Sequence, residues 1–340
     1  MVWDVGFRPD ERIGNYRVET ELGPTGAGIL IQATHLVLPR KAIIKVVHSA
    51  FAAMQPYVLQ TLREACILEA IAHPGVPVVY ESGILPDRRP WFAFEIIAGP
   101  TLEELLAFGP VPVGEVAKLL RDLAEILEHA HRRGVLHRGL RPDRIVITPE
   151  RRYPLCVPDW SEATAHDAVG QVPRAASEVG RCYLAPELAD QGPDTREVLA
   201  DRADVFALGV IAYRALTGEL PFAPGHEAVP HVPAAELRSE APPALAALID
   251  SMLAASRFDR PSAAEIRGEI DQLPSARRMR AVARPAKEYD GRPAADAGAL
   301  PEDVILLEHP RLRRSRWTPD VRYLETTPVE IKIAEDDVAT

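Results

Sequence analysis

The 340-residue chain is short of cysteine, of long apolar runs and of positive charge, and each shortage excludes something. Its three cysteines, Cys66, Cys156 and Cys182, form no CxxC pair, so neither a disulfide framework nor a zinc site is expected. A reduced, cytoplasmic setting fits. No run approaches the roughly 18 apolar residues of a membrane span. The most apolar stretch, "VFALGVIAYRALTG", carries Arg214 and reads as a buried helix. The start, "MVWDVGFRPDER", has no apolar segment behind basic residues and is not expected to be a signal peptide. Positive charge is also short. With 39 Lys and Arg against 49 Asp and Glu, the net charge of −10 argues against nucleic acid as the main partner.

What is present is a soluble globular balance, 47% hydrophobic and 26% charged, in a chain long enough for a two-lobed domain with a tail. After an N-terminal extension, 1–15, residues 16–97 are β-rich. "YRVETEL", "GILIQATHLV" and "KAIIKVV" predict three antiparallel strands, "YVLQTLREACILEAIA" a helix, and "VPVVYESGIL" with "PWFAFEII" a hairpin about Pro86-Asp87. Residues 98–273 turn helical. "VGEVAKLLRDLAEILEHAHRRG" is strongly periodic, with Gly134 placed as its C-cap, and three further helical segments follow. This order predicts an α+β fold of two lobes. Residues 274–300 read as a linker. Residues 301–340 are a tail with strand-like pieces that suit docking to a sheet edge.

Several motifs then fall in one order. "LGPTGAGIL" sits between two strands; glycines there let backbone approach phosphate, although alone the stretch is also an ordinary hairpin turn. "AIIK" ends in Lys45, "LREACILEA" carries Glu64, and "EIIAG" runs from Glu95 through Ile97 to Gly99. "HRGLRPDR", "VPDWSEA", "YLAPE", "DRADVFALGV" and "RFDRPSAAEI" follow. Together they resemble the protein kinases, of the bacterial eukaryotic-like Ser/Thr type, over residues 16–273.

The resemblance implies a β-rich N-lobe and a helical C-lobe with ATP between them. Gly23 and Gly28 match the first and third glycines of the phosphate loop, with Thr25 where the second would be. Lys45 is the expected phosphate-contacting lysine and Glu64 its helix partner, while Glu95 and Ile97 belong to the hinge that meets adenine. Asp159 matches the metal-binding carboxylate, able to hold one Mg²⁺ at most, with Trp160 and Ser161 in place of Phe and Gly. His137, Arg138, Asp204 and the pair Glu187 with Arg260 are expected to be structural.

The catalytic centre departs from the family. Where the pattern is H-R-D-L-K-P-x-N, this chain has Gly139 for the proton-accepting Asp, Arg141 for the Lys and Arg144 for the metal-binding Asn. Gly180-Arg181 replaces the usual Gly-Thr. Losing a general base costs roughly 10²–10⁴ in rate, so the missing Asp alone does not abolish transfer. Arg144 adds repulsion of about 4 kcal/mol per unit charge at 4 Å, which disfavours a second Mg²⁺, and it could meet phosphate in that ion's stead. The reading is a pseudokinase that binds ATP and acts as a scaffold or allosteric regulator of a protein partner, such as an active kinase or a signalling complex. No nucleic acid or membrane is expected. The alternatives are a weak Ser/Thr kinase using Asp159 or Asp143 as base, and a nucleotide-free interaction module.

Overall fold

The structure is a computed structural model that describes residues 6–165, 178–189, 201–222 and 231–273. These lie in the first of two compact units, 1–307; the second, 308–340, is outside the described residues. The linker and docking-tail readings therefore lie outside them too, as does 166–177 of the activation segment.

A six-stranded antiparallel sheet forms the N-lobe, in the order β1 (Arg12–Ile13), β2 (Tyr16–Thr25), β3 (Gly28–His35), β4 (Lys41–Val47), β6 (Pro90–Phe94), β5 (Val79–Ile84). The period-2 alternation sorts its residues to two faces. Ile29, Ile31, Ala33, Ala42, Ile44 and Val46 face one small core with Tyr16 and Trp91. Phe92 and Phe94 join the main core, against which Leu30 and Ile43 also pack. Helix α1 (Gln55–Ile71) buries Glu64, Ile67, Leu68 and Ile71. The sheet begins earlier than residue 16: Ile13 pairs with Tyr16 and is fully buried, so part of the N-terminal extension belongs to the lobe.

The C-lobe is helical. It comprises α2 (Leu102–Leu106), α3 (Val113–His131), α4 (Glu178–Arg181), α5 (Pro186–Ala189), α6 (Asp201–Thr217), α7 (Ala234–Leu237), α8 (Pro243–Met252) and α9 (Ala263–Gln272). Two short ladders complete it: β8 (Val146–Ile147) pairs β9 (Leu155–Cys156), and β10 (Thr164–Ala165) pairs β7 (Val135–Leu136). Helix α6 is apolar nearly all round, and 13 of its residues, from Ala203 to Leu216, are buried, so it is the spine of the lobe. Gly134 is not the cap of α3. Arg132 caps that helix in the right-handed region, and Gly134, at φ +70°, shapes the turn that leads into β7. The segment between the lobes presses on β8 so closely that a Cβ at Gly99 would stand 2.0 Å from the Ile147 carbonyl oxygen.

Candidate functional site

Strand β4 carries Lys45, and helix α1 carries Glu64. Lys45 Nζ donates to Glu64 Oε2 at 2.7 Å, with both side chains almost wholly buried. Burial pushes the Glu64 carboxyl above its ordinary value, against the pull of Lys45. Gly28 lies over this pair: a Cβ there would be 3.3 Å from Lys45 Cε and 3.1 Å from the Val46 carbonyl oxygen. Gly23 has φ +125°, and the hairpin closes at Thr25 opposite Gly28. The left-handed residue of that turn is Gly26, at φ +55°, beside the Thr25 that register places at the second glycine. Leu30, Ile43 and Ile147 pack against the core that holds Phe94 and Val157. Glu95 is bound by Arg151 at 2.7 Å, and Ile97 is half-buried.

Asp204, wholly buried at the start of α6, holds the "HRGLRPDR" loop. It accepts the backbone N–H of His137 at 2.8 Å and of Arg138 at 2.6 Å, and lies 2.9 Å from His131 Nε2. That grip keeps Arg138 at φ +60°. His137 is wholly buried, its ring 4.5 Å from the Trp160 ring. Burial lowers its pKa to about 4, so it packs as a neutral imidazole. Trp160 is also fully buried and donates its indole N–H to the Val157 carbonyl at 2.8 Å. Arg260 and Glu187 form a two-pronged pair at 2.7 and 2.9 Å, with Arg260 also donating to the Ala254, Ala255 and Arg202 carbonyls.

The centre of the site belongs to Arg144. Its Nε stands 3.1 Å from Asp159 Oδ2, its Nη2 2.7 Å from Glu162 Oε1, and its Nη1 donates to the Gly139 carbonyl at 3.1 Å. The contact to Asp159 is an ion pair by proximity rather than an aligned hydrogen bond. Burial works against the charge of Asp159, but Arg144, Lys45 and the Ser161 N–H outweigh it, and the carboxyl is held far below the usual range. Arg144 is in turn held above its ordinary value by Asp159 and Glu162, despite burial. Arg141 lies across Asp143 in a two-pronged pair at 3.1 and 2.9 Å. Arg181 is exposed on α4.

Glu162 is the participant that sequence reasoning did not single out. Its one signal was charge: an added cation at 144 calls for a further carboxylate nearby.

A divalent ion does not fit these residues. The two carboxylates it would use are already bridged by Arg144, and no cluster of three or more potential ligands occurs among the described residues. The expectation of one Mg²⁺ on Asp159 therefore meets a side chain committed elsewhere.

The protein kinase domain family matches residues 16–269, three quarters of the sequence. The chain belongs to the protein kinase family. Within that family it is similar to bacterial Ser/Thr kinases. It is 29% identical over 332 residues to the serine/threonine-protein kinase pkn3 of Myxococcus xanthus, covering 92% of this chain and 58% of that protein. It is 28% identical over 336 residues to PknB of Mycolicibacterium smegmatis, covering 93% and 53%. The chain thus spans about half the length of the curated relatives it matches. In fold, this kinase domain is similar to the crystal structure of the Mycobacterium tuberculosis PknI kinase domain. The TM-score is 0.59 at 24% identity, over 79% of this chain and 99% of that one. No helix among the described residues is long and apolar enough to cross a membrane.

Proposed function

We propose that this kinase domain is a pseudokinase: it keeps the scaffold and the nucleotide slot of its family but does not transfer phosphate, and it works by engaging a protein partner in signalling. The observation that carries the reading is Arg144 locked between Asp159 and Glu162 above a glycine. Phosphoryl transfer needs a group to orient and deprotonate the acceptor hydroxyl, and cations to neutralise the transferring phosphoryl. Gly139 offers no side chain. Asp159 is held ionised by Arg144 and is too weak a base for the task, while Asp143 is occupied by Arg141. Both of the improvised bases that a weak kinase would need are therefore poor ones.

In this reading Leu30, Ile43 and Ile147, the partly buried apolar residues packed on the main core, would meet adenine. When bound, ATP would supply a polyanion next to Lys45 and Arg144. The nucleotide would then fix the relation of the lobes and so the surface presented to a partner.

The test is a radiolabelled-phosphate assay on the chain itself and on a generic substrate protein, with wild type and Asp159→Ala compared. Wild type should stay at background. Transfer at ordinary kinase rates that Asp159→Ala removes would refute the proposal.

A further inference from the structure

The two carboxylates at this end of the cleft are spanned by one side chain. Hard divalent cations take oxygen ligands at about 2.0–2.6 Å and need the carboxylates to point at the ion. Here the Asp159 and Glu162 oxygens flank the guanidinium of Arg144 instead, at 3.1 and 2.7 Å. A third tie, from Nη1 to the Gly139 carbonyl at 3.1 Å, fixes the guanidinium plane. The place is made by what residue 139 lacks: a Cβ there would stand 2.4 Å from Arg144 Nη1 and 3.0 Å from Glu162 Cδ. The missing side chain at 139, the cation at 144 and the carboxylate at 162 are therefore one arrangement. A guanidinium cannot be titrated away in any working pH range. A divalent ion at either carboxylate would have to sit beside a fixed positive charge and displace it.

We propose that Arg144 is a resident cation standing in place of a divalent ion, so that the cleft excludes Mg²⁺ and takes an adenine nucleotide only as the metal-free anion. The metal exclusion stands on the ion-pair geometry alone; the ligand part rests on the nucleotide-binding reading above. Each terminal nitrogen of Arg144 carries a second N–H beyond the one used here, and that is what this end of the site offers a phosphate oxygen.

Two measurements on the full chain separate the parts. In the first, Mn²⁺ binding without nucleotide is followed by electron paramagnetic resonance for wild type and Arg144→Asn. Wild type should bind no Mn²⁺ and Arg144→Asn should bind it; equal binding by both proteins, or by neither, overturns the proposal. In the second, ATP affinity is measured by calorimetry in EDTA and in excess Mg²⁺. Wild type should bind ATP equally well or more weakly with Mg²⁺, Arg144→Lys, which keeps the charge, should behave likewise, and Arg144→Asn should gain at least tenfold from the metal. A gain of tenfold or more in wild type overturns the proposal, and needs no variant to fold. If ATP gives no heat with any protein, the nucleotide reading fails, and the Mn²⁺ arm still decides whether Arg144 keeps metal out.

Discussion

Lys45 and Glu64 are two opposite charges taken almost wholly out of water. Such a pair adds little net stability, because desolvation offsets attraction, but removing one partner strands the other. Lys45→Ala should therefore cost about 3–5 kcal/mol in urea unfolding, the lower part of that range if Glu64 takes up a proton. The double change Lys45→Met with Glu64→Leu should cost much less. If the single and double variants lose the same stability, the pair is not a coupled buried pair. Arg144, Gly139 and Asp159 were legible because register alone identifies what stands at each motif position. Glu162 was not, because its role depends on which way one loop side chain turns after Trp160, and spacing carries no record of that. The orphaned look of Arg144 in the sequence was half of the signal; the compensating carboxylate was the other half.

Elements with a strong period were readable, and those set by tertiary contact were not. The apolar repeat of α3 and the alternation of β3 and β4 each declare one buried face. The two residues of β1 have no period to show; they pair because Ile13 fills the core beside Tyr16. The four-residue helices α4 and α5 are likewise too short to show a helical period. Two capping boxes could have been read and set element starts sharply: Thr101 with Glu104 opens α2, and Ser262 with Glu265 opens α9. Gly134 was misplaced as a cap because a glycine near a helix end serves equally well in the following turn.

At the scale of the molecule, contacts across the lobes hold an assembled posture. Gln60 of α1 donates to the Ser161 carbonyl at 2.6 Å, His129 of α3 meets the Ile71 carbonyl at 2.7 Å, and Arg151 grips Glu95. This posture has a pH signature. Burial lowers His137 and His73 to about 4 from an ordinary 6.5. Below pH 6.5 the unfolded chain takes up two protons that the folded chain refuses, so stability falls on acidification. Each histidine adds a limiting slope of about 1.4 kcal/mol per pH unit, which is exhausted near pH 4. Asp122, pushed up to about 6 by burial, works in the opposite sense between about 4 and 6. Urea midpoints should therefore drop most steeply between about pH 6.5 and 5, and His137→Phe should remove about half of the histidine contribution. An unchanged profile in that variant would remove His137 from the account.

The central claim is that a salt-bridged arginine has closed the place where phosphate transfer would happen. A side chain at 139 would strike both Arg144 and Glu162, so the three positions are changed together. The most direct measurement is single-turnover phosphate transfer from ATP with Mg²⁺, for wild type beside the triple variant Gly139→Asp, Arg144→Asn, Glu162→Ala. The account predicts background transfer in wild type and measurable transfer in the triple variant. Wild-type transfer as fast as that of the reopened site would contradict it.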